Sequence, residues 1–187
     1  MGKLFIISGP SGVGQDSVIE GLKINLPLER VITTTTREMR PGESEKNPYY
    51  FVSKEEFLKR VENNDFFEYA QEYNGNYYGV TRQELQRVEA NEKIGIWKME
   101  YKGVITAKKL MPGIQAILIN APLDILEKRI RGRSQVSEEF LAERMAYTKE
   151  WLKHKDIYDY EVENEEGKLE KTIKEVENII LANLDKK

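Results

Sequence analysis

The sequence contains no cysteine, which excludes a disulfide framework and any thiolate metal site. A single histidine, His154, leaves no imidazole cluster for zinc either, and its place among Lys153, Lys155 and Asp156 reads as a solvated helix end. Long apolar runs are missing too. Residues 3–8 are too short a run for a signal peptide or a membrane span, and no later segment approaches about 18 apolar residues, so the chain is expected in the cytoplasm without a membrane partner. Nor is there an excess of positive charge. With 29 Lys and Arg against 32 Asp and Glu the formal net charge is -3, which argues against a broad nucleic-acid surface. Lys102, Lys108 and Lys109 then read as a solvated face, and Trp97 and Trp151 as packing residues.

What is present suits one folded domain. The chain has 187 residues, 40% of them hydrophobic and 33% charged, enough to bury roughly two-thirds of the unfolded surface. Leu4-Phe5-Ile6-Ile7 is a continuous apolar run stopped by Gly9-Pro10, the pattern of a fully buried parallel strand, and residues 16–23 read as a helix. Further strands are expected at 30–34, 94–99, 115–119 and 160–163, with helices between several of them. That alternation predicts an α/β fold with a doubly wound parallel sheet. The stretch from 35 to about 88 breaks it, with turn-rich residues 40–48 and the aromatic run Tyr49-Tyr50-Phe51, and reads as an inserted subdomain. Within it Ser53-Lys54-Glu55-Glu56 has the form of a capping box opening a short helix with Phe57 and Val61 on one face. A second, arginine-bearing insert spans 130 to about 144, and Leu169, Ile173, Val176 and Ile180 mark one face of a closing helix.

The segment Gly9-Pro10-Ser11-Gly12-Val13-Gly14-Gln15-Asp16-Ser17 follows the first strand and opens a helix, the setting a phosphate-binding loop requires. Closely spaced glycines let the backbone curl around phosphate oxygens, with amide hydrogens and the helix N-terminus aimed at the anion. The Gly9, Gly14 spacing is that of the P-loop, but Gln15 stands where lysine belongs and Asp16 where serine or threonine is usual. Glycine-rich strand-to-helix turns also occur without ligands, so the loop alone leaves both readings open.

Other motifs coincide with it in order: Thr34-Thr35-Thr36-Arg37-Glu38-Met39-Arg40-Pro41-Gly42-Glu43, Phe67-Glu68-Tyr69-Ala70, Gly75-Asn76-Tyr77-Tyr78-Gly79 and Lys128-Arg129-Ile130-Arg131-Gly132-Arg133. On these the chain resembles guanylate kinase, a nucleoside monophosphate kinase, over nearly its whole length. The resemblance implies a single domain, residues 1–187, in three parts. They are a P-loop kinase core (about 1–34, 89–129 and 145–187), an inserted GMP-binding subdomain (about 35–88) and a lid (about 130–144). It also implies ATP as phosphoryl donor, Mg²⁺ as cofactor and GMP as acceptor.

The chemistry of individual residues agrees. Arg37 and Arg40, three apart beside a turn, can grip one phosphate with forked guanidiniums, and Tyr49 and Tyr78 match tyrosines that donate hydroxyls to the same GMP phosphate. Tyr50 and Tyr77 read as the packing members of each pair. Guanine presents two adjacent donors, and Glu68 matches the carboxylate that accepts both; adenine would leave it unpaired. Thr33 matches a hydroxyl near the base, Glu100 replaces an aspartate that contacts it, and Val80 stands where a serine or threonine is usual. Lys98 departs too, since an acidic residue is usual two positions before that aspartate. Arg129, Arg133 and Arg144 match arginines that close on the transferring phosphoryl group, Arg131 reads as a surface companion with partners such as Glu127, and Asn164 matches an asparagine near adenine. The loop residues Gly9, Ser11, Gly12, Val13, Gly14, Gln15, Asp16 and Ser17 would hold ATP, with Asp16 and Ser17 available to the metal directly or through water.

Three readings follow. The first is an ATP:GMP phosphotransferase slowed at Gln15, because losing one preorganised charge at a phosphate costs about 3 kcal/mol, or ~100 to 1,000-fold in rate. The second is a non-catalytic module of this fold binding GMP or a phosphorylated partner, which Gln15 favours and the retained arginines oppose. The third is a kinase of another small phosphorylated acceptor, opened by Val80 and Lys98.

Overall fold

Strand β1 (Leu4–Ser8) is buried along its whole length and lies at the centre of a five-stranded, all-parallel sheet. A computed structural model describes residues 4–71, 75–132 and 136–184. β1 pairs on one side with β8 (Ile94–Lys98) and on the other with β9 (Gln115–Asn120); β10 (Tyr160–Glu163) and β2 (Leu28–Arg30) complete the order β10-β9-β1-β8-β2. Parallel strands buried on both faces need no polar alternation. The uninterrupted Leu4-Phe5-Ile6-Ile7 run accordingly divides between two cores. Phe5 and Ile7 join α1 (Gln15–Asn25), α5 (Leu123–Arg131) and α7 (Leu169–Leu184) through Val18, Ile19, Leu22, Leu126, Val176 and Ile180. Leu4 and Ile6 face α3 (Arg82–Glu89) and α4 (Tyr101–Leu110) through Leu85, Val88, Val104 and Ala107, with Trp97 fully buried among them.

The inserted stretch forms a second sheet, ordered β4-β5-β3-β7-β6: β4 (Ser44–Glu45), β5 (Pro48–Phe51), β3 (Thr33–Thr35), β7 (Tyr77–Thr81) and β6 (Phe66–Gln71). It is mixed, with β3 parallel to β5 and antiparallel to β7. One expectation needs correction here. The strand expected at 30–34 is two strands in different sheets: Arg30 ends β2 in the parallel core, and Thr33 opens β3 in the insert. The 35–88 region, read as an inserted subdomain with a turn-rich stretch, an aromatic run and a short helix, carries most of this second sheet together with that helix and the greater part of α3. Its helix α2 (Lys54–Glu62) does start where the capping pattern placed it, with Ser53 Oγ accepting from the Glu56 amide at 3.1 Å. Phe57 on its inner face is fully buried and stacks on Phe66 at 4.2 Å between ring centres.

The two sheets are tied at the crossing between them. Glu84, in the first turn of α3 and 3% exposed, accepts the Ile32 amide at 2.7 Å, the Tyr50 hydroxyl at 3.2 Å and both Arg87 contacts at 2.8 and 2.9 Å. A buried carboxylate is tolerated only when so supplied with donors. On the other flank α6 (Glu138–Leu152) buries Trp151, whose ring N–H donates to the Tyr158 hydroxyl at 2.9 Å. In α7, Val176 and Ile180 are buried as the periodicity predicts, but Leu169 is 37% exposed, because the helix begins there beyond the edge of the core. Among the described residues no helix is long and apolar enough to cross a membrane.

Candidate active site

The carboxyl ends of the parallel strands and one face of the second sheet enclose a cleft of about 360 Å³, at the position where open α/β sheets bind ligands. Its floor is the loop after β1. Ser8 Oγ donates to the Met99 carbonyl at 2.8 Å and takes a hydrogen bond from Tyr158 at the same distance, fixing where the loop begins. Gly12 and Gly14 adopt φ of 86° and 88°, a left-handed backbone that side-chain-bearing residues rarely tolerate. Gly14 is the N-cap of α1 and brings no side chain to the first amides of the helix, which leaves them for an anion. From behind, Asn164 Nδ2 donates to the Val13 carbonyl at 2.7 Å, and Arg129 donates to the carbonyls of Val13 and Asn164 at 3.4 and 3.0 Å. Asn164 and Arg129 also line a second cleft beside Gly12, Gly14 and Ser17.

The opposite wall presents Thr33, Arg40, Tyr49, Glu68 and Tyr78. A register shift between Phe66 and Glu68 breaks the alternation of β6: Phe66 packs on Phe57, Phe67 meets Trp97, and Glu68 opens into the cleft. Burial there pushes the Glu68 carboxyl up to about 7. Tyr49 and Tyr78, on strands flanking β3, meet edge to face at 5.9 Å, and burial raises the Tyr49 phenol above its ordinary value. Arg37 lies against them, its guanidinium 5.4 Å from the Tyr49 ring and bonded to both oxygens of Glu43 at 2.8 and 2.9 Å. The same carboxylate takes the Arg40 amide at 2.8 Å, so one acid sets the turn that carries both arginines. That hydrogen bonding holds Glu43 below the usual carboxylate range.

Residues 1–183 match the guanylate kinase family model, which spans both walls of this cleft. The chain belongs to the guanylate kinase family. It is 40% identical over 186 residues to the guanylate kinase of Haemophilus influenzae, covering 96% of this chain and 87% of that protein. To the guanylate kinase of Escherichia coli K12 it is 36% identical over 169 residues, covering 88% and 81%. Its fold is similar to the crystal structure of guanylate kinase from Anaplasma phagocytophilum, with a TM-score of 0.76 at 27% identity over 98% of this chain and 87% of that one.

Most residues expected from the guanylate kinase resemblance converge. Gly9, Ser11, Gly12, Gly14, Gln15, Asp16 and Ser17 share the first cleft with Glu100 and Arg144. Val13 contributes only its carbonyl, since its side chain is fully buried in the core. Val80 is likewise fully buried, packed in the core with Trp97 and not lining the cleft. Arg133 lies outside the described residues. Arg131 pairs with Glu127 at 3.1 Å and with Glu138, as a surface companion would. Tyr50 and Tyr77 pack as expected, on Glu84 and Phe57 respectively. Four contributions were missed: Glu43 as brace of the arginines, Asn164 as brace of the loop, Tyr147 donating to Glu100 at 2.6 Å, and Arg30, which reaches Asp16 at 3.2 Å. Glu43 carried a signal, since it closes the threonine-arginine motif, as did Asn164 through its match near adenine; Tyr147 and Arg30 carried none.

Proposed function

We propose that the chain is an ATP:GMP phosphotransferase forming ADP and GDP in the cytoplasm. The observation that carries this reading is the one cleft in which the phosphate loop faces a half-buried carboxylate, Glu68, able to accept the two donors of guanine. Thr33 and Glu100 border the same base site; Arg40, Tyr49 and Tyr78, with Arg37 behind them, are the donors for the GMP phosphate. ATP enters over the loop, with Asn164 and Arg129 beside the second cleft and Arg129, Arg133 and Arg144 as the cations of the transferring group. An oxygen of the GMP phosphate attacks the terminal phosphorus of ATP. The bond to the bridging oxygen breaks, and its electron pair leaves on ADP. Positioning and positive charge are what this transfer asks of a protein.

The residues fit a magnesium ion brought with the nucleotide. The Ser17 hydroxyl is a hard oxygen donor at the cradle, and Gln15 Oε1 is buried with no donor among the described residues, an acceptor open to a metal-bound water. Asp16 is engaged by Lys98 and Arg30 and would reach the metal through water. When bound, the ion neutralises phosphate charge. A non-catalytic binding module, the reading Gln15 favours, leaves Arg129 and Arg144, at the phosphate loop on the donor side, without a purpose.

The test is formation of ADP and GDP from ATP, Mg²⁺ and GMP, with AMP as control acceptor. GMP-dependent turnover is expected. Tight GMP binding with no turnover would overturn the phosphotransferase reading in favour of the binding module.

A further inference from the structure

The cradle lacks the lysine expected at position 15, yet two cations reach it from neighbouring strands. Lys98 ends β8, where it stands in register with Ile7 of β1, and its ammonium nitrogen lies 2.7 Å from Asp16 Oδ2. Arg30 ends β2, on the far side of β8, and its guanidinium lies 3.2 Å from Asp16 Oδ1. Both line the same cleft as Gly14, Gln15 and Ser17. The group formed by Gln15, Asp16, Arg30 and Lys98 thus brings one net positive charge to the loop, as a single lysine would. With one cation on each oxygen, the Asp16 carboxylate anchors both at the mouth of the loop. Without them it would stand at a helix N-terminus as a bare negative charge facing the polyphosphate.

We infer that Lys98, aimed into the phosphate cradle by Asp16, is a catalytic residue that supplies to the transferring phosphoryl group the positive charge Gln15 lacks. This rests on the phosphotransferase reading above. A lysine ammonium is a compact charge on a flexible four-carbon stem with three donors, so it can bond Asp16 and a phosphate oxygen together. No proton moves: Lys98 stays protonated and offsets charge on the equatorial oxygens while the phosphoryl group passes to GMP. Arg30, on the other Asp16 oxygen, is a positioning residue that keeps the carboxylate from drawing Lys98 wholly away from the nucleotide.

The test compares the native chain with Lys98→Gln, Gln15→Lys and the double variant, measuring GMP-dependent turnover and the affinity for a non-hydrolysable ATP analogue with Mg²⁺. Lys98→Gln is expected to lower kcat by ~100-fold and leave the KM for GMP within about threefold. Gln15→Lys is expected to return the Lys98→Gln chain to within about tenfold of native, because the cradle needs one such cation. Mere misfolding after loss of Lys98 would not be repaired by a lysine at position 15. Native turnover by Lys98→Gln, or a loss that Gln15→Lys leaves unrepaired, overturns the assignment. If no form turns over GMP, the phosphotransferase reading fails separately and the analogue titration decides Lys98: equal affinities overturn its role, and a roughly tenfold weakening restored by Gln15→Lys sustains it.

Discussion

The two halves of the cleft are built on different terms. On the acceptor side each recognition residue is held by protein before any nucleotide arrives: Glu43 fixes Arg37 and the Arg40 turn, Tyr49 and Tyr78 brace each other, and the register shift in β6 aims Glu68. On the donor side the charges sit in local contacts that ligand phosphates can share, Lys98 and Arg30 on Asp16, and Arg129 on the loop carbonyls. The first half is preorganised and keeps the threonine-arginine and Gly-Asn-Tyr-Tyr-Gly motifs, departing at Val80 and Glu100; the second departs at the charge-bearing position itself, Gln15. Charge can be relocated around a phosphate, which accepts a cation from several directions. The hydrogen-bonding edge of a base fixes its partner in place.

Variants can break this contrast. The largest effect is expected from Glu68→Gln, which puts an amide where guanine needs two acceptors. It should lower kcat/KM for GMP by ~1,000-fold, about 4 kcal/mol, with the ATP analogue binding as before. A comparable loss of analogue affinity would show that the halves are not separable. Glu84→Ala removes the carboxylate that ties the sheets and leaves the Ile32 amide and Arg87 without it, for an expected loss of about 3 kcal/mol in urea unfolding. Glu43→Ala should raise the KM for GMP about tenfold with little change in kcat, the reverse of the pattern expected at Lys98, since it releases Arg37 without removing it.

The smallest effect sharpens the acceptor side through pH. Burial raises Glu68 to about 7, so the free protein carries it partly protonated at neutral pH, whereas guanine requires the anion. GMP affinity should therefore climb by up to about tenfold per unit as pH rises towards 7 and level off above it, measured against Glu68→Gln, which lacks this component. For stability the sign is opposite. A carboxyl that is easier to protonate when folded than at its ordinary 4.5 stabilises the fold at low pH, and that contribution is lost as pH rises through about 7. A flat difference between the two chains across this range would refute the buried setting of Glu68.

Local chemistry was legible in the sequence, and long-range placement was not. The phosphate loop, the Ser53 cap, the buried β1 run and the threonine-arginine motif all announce themselves within ten residues, because turns, caps and strand burial are decided locally. Whether residues 30–34 formed one strand or two was beyond such reading. Arg30 and Thr33 are both extended, and only their partners, Ile96 in one sheet and Tyr49 in the other, separate them. The same limit hid the meeting of Lys98 with Asp16, 82 positions apart, and of Asn164 with Val13, 151 apart. Lys98 looked like a defect in a motif until the sheet register set it beside the loop.

The carboxylate of Glu84 has a mechanical consequence. The chain leaves the core sheet at Val31 and Ile32 and returns to it through α3, and Glu84 clasps the first crossing from within the second. Both passages between the sheets are thereby pinned through one carboxylate, and losing it would loosen the Ile32 crossing and the first turn of α3 together.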